Sequence, residues 1–418
     1  MSATATHNIR WYPVYRCGAD AMAWLPIFFL YFSERLSLSQ VLLLESVYYI
    51  AVVITEVPSG YLSDIAGRRR TLLFSSIALI FAYLFFLFSG QFAGLAIGQV
   101  LLAISIAFRS GTDTSFHYES LVADGRDEEY GDREAVAGKY GFISTAAAAL
   151  AGGVFGSINL VYPYYLSLAT ACLTALVVFS FNEPAKSVNE TASTGPVAQI
   201  FECLRYLKIS PLMWLWMYYI MMFAAVHIPY ELYQPYLALL DSADQLAGFS
   251  APLVAGVLFA LTASVAAFAS AYSMQWRRKY GLLTLLTWAT IVELLIIGAM
   301  AIALHPIIAL CVILRSGPMA VVAAPINATS VPLIKDRHRA TYLSLQSLSA
   351  RLTFAVILFG FSLLTTSQTQ TDWSSLSLLL RVSVIGGLLA LLGLYILAKR
   401  LEKTRNLFPN PTRHDPAG

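Results

Sequence analysis

Charged side chains stand four residues apart inside otherwise apolar stretches of this chain. Arg16 precedes Asp20, Arg109 precedes Asp113 with His117 four further on, and His227 precedes Glu231. Residues four apart share one face of a helix, so each set makes a charged stripe. A carboxyl group taken out of water holds a proton at a pH where a solvated one does not. A guanidinium beside it can hold that carboxylate or an anionic group on a bound molecule. The stripes therefore point to a site for a proton or a polar solute. The plainer reading is that the pairs neutralise themselves and tie helices together. Arg315 and Arg351 lie in apolar stretches too, the latter in a polar stripe with Ser344 and Ser347. Arg381 is expected to reach lipid headgroups, and no role is assigned to Glu45 or Glu293.

The surroundings of these charges decide how they must be positioned. Of 418 residues, 58% are hydrophobic and 12% are charged, against about 25% charged in soluble domains. A chain this apolar needs lipid to cover it. A charge placed at the bilayer centre costs at least about 2.5–3.5 kcal/mol, so each one needs a partner or a task. A membrane span takes about 20 apolar residues. Twelve such stretches are predicted, near 11–32, 39–59, 71–89, 93–118, 136–158 and 162–182, then near 210–237, 248–272, 281–303, 306–333, 341–366 and 374–398. The segment before residue 11 carries His7 and Arg10 but no small-residue cleavage pattern, so 11–32 reads as a span and not as a signal peptide. An all-α membrane protein follows, with an N-terminal six-helix bundle over 1–182, a polar linker over 183–208, a C-terminal six-helix bundle over 209–398 and a tail over 399–418. A short amphipathic helix is expected near Phe201–Leu207.

Basic residues test this layout. With the amino terminus placed in the cytoplasm, 21 of the 27 Lys and Arg fall on the cytoplasmic side, Lys139 at the cytoplasmic end of its span among them, five fall deeper inside spans, and Arg35 alone falls outside. That asymmetry predicts an inner (plasma) membrane protein with both termini and the linker cytoplasmic. The halves also repeat. Arg68-Arg69-Arg70 after the second span corresponds to Arg277-Arg278-Lys279 after the eighth, and Arg109-Ser110-Gly111 to Arg315-Ser316-Gly317. These matches fit parallel repeats. The net charge of +3 gives no reason to expect nucleic acid, and the four cysteines lack metal-ligand or disulfide spacing. No nucleotide loop, nucleophile motif or metal cluster is seen, so neither an enzyme nor a cofactor is expected.

Residues 60–70 read Gly60-Tyr61-Leu62-Ser63-Asp64-Ile65-Ala66-Gly67-Arg68-Arg69-Arg70. This resembles the loop between spans two and three of the major facilitator superfamily, G-x-L-x-D-[RK]-x-G-R-[RK]. Gly60, Leu62, Asp64, Gly67, Arg68 and Arg69 match, and Ile65 stands where a basic residue is usual. Glu56-Val57-Pro58-Ser59, Ser110-Gly111-Thr112-Asp113, Tyr118-Glu119-Ser120-Leu121, Gln234-Pro235-Tyr236-Leu237 and Arg339-Ala340-Thr341-Tyr342 resemble a bacterial branch of that superfamily. The resemblance implies the twelve-helix fold, alternating access, and a cytoplasmic gate at Glu56, Gly60, Asp64, Gly67, Arg68 and Arg69. Asp64 is suited to pairing with an arginine and to facing the positive end of a neighbouring helix. The resemblance also implies that spans one and four line the central cavity. The substrate and proton site is accordingly expected among Arg16, Asp20, Arg109, Asp113, His227, Glu231, Arg315 and Arg351. The expected function is proton-coupled export of a small organic solute, drug-like or a metabolite, by a monomer. Proton-driven uptake of a siderophore or nutrient, and a non-transporting sensor, are the alternatives.

Overall fold

The structure, a computed structural model, describes residues 3–184, 196–365 and 371–405. Among these the regular structure is entirely helical. The order is α1 (Ala3–Asp20), α2 (Phe28–Ser33), α3 (Leu38–Ala66), α4 (Arg68–Phe88), α5 (Phe92–Arg109), α6 (Thr112–Asp124), α7 (Tyr130–Ile158) and α8 (Tyr162–Ser180), then α9 (Pro196–Arg205), α10 (Ser210–Ser242), α11 (Ala251–Tyr280), α12 (Leu282–Ile302), α13 (Pro306–Cys311), α14 (Gly317–Ser330), α15 (Asp336–Leu364) and α16 (Trp373–Arg405). Helices are what an apolar chain must form in lipid, since no water is present to satisfy backbone groups. Eleven of the described segments are long and apolar enough to cross a membrane. Their outward faces carry large apolar groups such as Phe142 and Ile302, both more than 70% exposed, which lipid would cover.

The segment expected as the first span is interrupted. α1 ends at Asp20, and Leu25–Ile27 forms a 3₁₀ turn before α2. Pro26, at the start of that turn, has no N–H to give a continuing helix. Spans four and ten are also broken, at the two matching tripeptides. Arg109 ends α5, Gly111 takes a left-handed φ of 74°, and Thr112 opens α6. In the second half Val312–Ser316 is a 3₁₀ segment between α13 and α14, with Arg315 inside it. The helix expected in the linker is present as α9. Linker residues 185–195 and tail residues 406–418 lie outside the described residues.

The chain forms two compact units. The first gathers 1–191 with 249–260 and 355–370, and the second gathers 192–248, 261–354 and 371–418. In the first, Tyr12, Tyr15, Leu72, Phe116, Ala137 and Val178 form a core. Gly141 on α7 lets α1 come close, since a Cβ there would lie 2.5 Å from Asp20 Oδ2. Ser46 Oγ donates to the Ala355 carbonyl at 2.9 Å and fixes the end of α15 to α3. In the second unit, Trp214, Leu215, Tyr218, Leu286 and Ile326 pack together. Trp214 Nε1 donates to the Leu394 carbonyl at 2.7 Å, and the Tyr218 hydroxyl to the Leu286 carbonyl at 2.8 Å.

Candidate functional site

In the first unit the ends of three helices bring four charges together. Arg16 and Asp20 stand on the last turns of α1, Arg109 ends α5, and Asp113 lies in the first turn of α6. Arg16 Nη1 donates to Asp113 Oδ2 at 2.6 Å, and its Nη2 lies 3.4 Å from Asp20 Oδ2. Arg109 Nη1 donates to Asp20 Oδ1 at 2.9 Å and to the Ala19 carbonyl at 2.7 Å. Two positive and two negative groups thus close a neutral quartet. The expected pairing of Arg109 with Asp113 along one helix face is corrected here. The left-handed turn at Gly111 separates them onto two helices, and each takes its partner from α1.

Position adds to what pairing does. Asp113 Oδ1 accepts the Thr114 backbone N–H at 2.8 Å, at the amino end of α6 where an anion is favoured. The Asp113 side chain is buried, whereas Arg16, Asp20 and Arg109 keep part of theirs exposed. Arg16 Nε is a buried donor with no acceptor among the described residues. Beside Arg109 lies a cavity of about 20 Å³, lined in part by Tyr15, Ala19, Met22 and Ser105. His117 follows Asp113 by four residues on the same helix, α6, but is engaged elsewhere. Its Nδ1 is 2.7 Å from Glu134 Oε2, and its ring stacks on Tyr12 at 3.9 Å between centroids. Sequence reading missed Glu134, which sits on another helix and 17 residues away.

The signature loop is also assembled in this unit. Arg68 Nη1 lies 2.7 Å from Asp64 Oδ1 and 2.9 Å from Ser63 Oγ, and its Nε lies 2.9 Å from Glu119 Oε1. Asp64 thus pairs with an arginine as expected. At the amino end of α4, however, the carboxylate is that of Glu183. It accepts the Arg68 N–H at 2.5 Å and the Arg69 N–H at 3.1 Å. Arg69 Nη2 donates to the Phe179 carbonyl at 2.8 Å. Gly67, with φ of 99°, joins α3 to α4 beneath that carboxylate. Gly60 and Glu56 lie on α3, one and two turns ahead of Asp64.

In the second unit Arg315 is buried. Its Nη1 donates to Thr262 Oγ1 at 2.9 Å, and its guanidinium lies 4.9 Å from the Tyr233 ring centre and 5.5 Å from that of Tyr230. His227 Nδ1 donates to the Phe223 carbonyl at 2.8 Å. The ring stacks on Phe223 and lies 5.4 Å from Phe354. Glu231 is buried on the same helix, α10. Among the described residues no cluster of His, Cys, Asp and Glu is suited to a metal ion.

Comparison with known proteins agrees with this architecture. The family model of the Major Facilitator Superfamily matches residues 17–356. A crystal structure of the nucleoside transporter NupG superposes with a TM-score of 0.77 at 12% identity, covering 95% of this chain and all of that one. A D-xylose-proton symporter gives 0.67 at 12% identity, covering 92% and 96%. A bacterial homologue of the iron transporter ferroportin, in an inward-facing state, gives 0.66 at 16% identity, covering 95% and 99%. At such identities these likenesses show the fold. No curated protein sequence matches the chain.

Proposed function

The chain belongs to the major facilitator superfamily, and on that premise we propose that it is a secondary active transporter that carries a small organic solute by alternating access, coupled to protons. It acts as a monomer in the inner membrane, with both termini cytoplasmic. The observation that carries this reading is the exchange of partners in the neutral quartet, Arg16 with Asp113 and Arg109 with Asp20.

The quartet balances only while both acids are ionised. A proton on Asp113 removes the charge that holds Arg16 at 2.6 Å, and Arg16 then has a guanidinium to offer to an anionic or zwitterionic solute. When such a solute takes Arg16, Asp113 loses its cation and holds a proton more tightly. Binding of proton and solute are then linked, each strengthening the other by the same factor, as thermodynamic reciprocity requires. Asp20, shared between Arg16 and Arg109, keeps the arginines in place through the exchange. Two acids against two arginines favour a polar organic head over a strongly charged inorganic ion. That one of the structural relatives is described as a proton symporter supports the coupling.

The test is a solute screen in inverted membrane vesicles with an imposed pH gradient. Once a transported solute is found, Asp113→Asn should abolish uphill accumulation while exchange at equal concentrations continues. Uphill transport with unchanged pH dependence in that variant would make the quartet structural.

A further inference from the structure

Glu293 stands in the middle of α12, a helix of 21 residues with no other charged side chain. It is 0% exposed, and both its carboxyl oxygens are buried with no hydrogen-bond partner among the described residues. The nearest hydroxyl along the helix, that of Thr290, is already taken up by the Leu286 carbonyl and the Tyr218 hydroxyl. The helices around α12 offer little else. α14 carries no titratable side chain, α13 carries only Cys311, and Arg381 of α16 is exposed. α16 packs on α12 with apolar groups, Gly387 against Leu294 and Val384 near Gly298. α10 contributes Tyr218, whose hydroxyl is engaged as above.

The 3₁₀ segment Val312–Ser316 packs against α12, and among the described residues its Arg315 brings the positive charge that bears on Glu293. Arg315 is not on a regular helix. It lies in the 3₁₀ break between α13 and α14, and it is held by the Thr262 hydroxyl and by the faces of Tyr233 and Tyr230.

An ionised carboxylate cannot remain in such a place. Buried charges need a paired and hydrogen-bonded setting, and a buried acid without one takes up a proton instead. We propose that Glu293 is a proton-binding site: it carries a proton while Arg315 rests on Thr262 and the tyrosines, and releases it when Arg315 turns to the carboxylate. The step moves one proton and changes no covalent bond besides the O–H. The break at 312–316 supplies the freedom for Arg315 to turn, because 3₁₀ segments within a span are poorly bonded and mark places where a helix can rearrange. The protonation itself stands apart from the reading of the Asp113 quartet. Counting the Glu293 proton in the transport cycle rests on that reading.

The test uses purified full-length protein in liposomes and needs no substrate. An infrared pH titration of wild type is compared with Glu293→Gln. At neutral pH the difference spectrum should show a protonated-carboxyl C=O band that only wild type has, and this band should convert to carboxylate as the pH is raised. Arg315→Gln should keep the band to higher pH, because the charge that favours ionisation is gone. If Glu293→Gln cannot be purified, the titration of wild type against Arg315→Gln gives the same reading. A carboxylate signal for Glu293 already present at neutral pH would overturn the proposal. So would a protonated band unmoved by pH or by Arg315→Gln. In transport, Glu293→Gln should lose one proton per solute. If Asp113→Asn proves silent while the infrared result holds, the quartet reading fails and this one stands.

Discussion

Arg109 stands four residues before Asp113, yet its guanidinium is bonded to Asp20 at 2.9 Å, while Asp113 is held by Arg16 at 2.6 Å. The exchange follows from Gly111, whose left-handed φ of 74° ends one helix and starts the next. A double-mutant cycle measures this. Arg16→Gln and Asp113→Asn should each destabilise the protein by roughly 3 kcal/mol, as removal of one partner of a buried pair does. Their combination should cost much less than the sum. The Arg109→Gln and Asp113→Asn cycle should show a smaller coupling energy. Thermal unfolding of the purified variants gives the values, and equal coupling in both cycles would contradict the geometry.

Two glycines with left-handed backbone should respond differently to alanine. At Gly111 nothing lies within 4 Å of an added Cβ, so only the conformational cost applies, about 1–2 kcal/mol. At Gly67 the same strain is joined by a Cβ 2.7 Å from the Glu183 carboxylate. Gly67→Ala should therefore lower the melting temperature more than Gly111→Ala does.

In the signature loop, structure and turnover should separate. Glu183 caps the amino end of α4 through the Arg68 and Arg69 N–H groups, and Glu183→Ala should cost about 1 kcal/mol of stability. Asp64 is largely exposed and pairs with Arg68. Asp64→Asn should cut the transport rate strongly and leave the melting temperature close to wild type. Normal rates with Asn at this position would reduce the loop to a topology signal.

Topology is best tested away from the native cysteines. Cys203 is wholly buried, and burial together with the nearby Glu202 charge pushes its thiol above the usual range, so it would react slowly from either side. In a cysteine-free background, Ser242→Cys at the end of α10 and Asp132→Cys at the start of α7 place thiols at exposed positions. A membrane-impermeant maleimide on intact cells should label the first and not the second. The reverse pattern would invert the proposed orientation.

Residue types alone fixed much of this protein. Apolar runs of span length, the one-sided Lys and Arg, and the Gly60–Arg69 loop are local sums or local strings, and no folding is needed to read them. Even the helix breaks had a trace, since Arg-Ser-Gly recurs at both. What the chain could not show is which charge meets which. An i, i+4 rule assumes one continuous helix, and Gly111 breaks it, so Arg109 and Asp113 each found a partner on α1. Glu183 replaced Asp64 at the end of α4 because a segment 115 residues away folds back there. Glu134 met His117 across two helices. Glu293 looked like any other charge in an apolar run. Its isolation appeared only when the packing of α12 showed that no donor among the described residues reaches it. Pairing of buried charges depends on helix approach and backbone breaks, and those are properties of the assembled bundle.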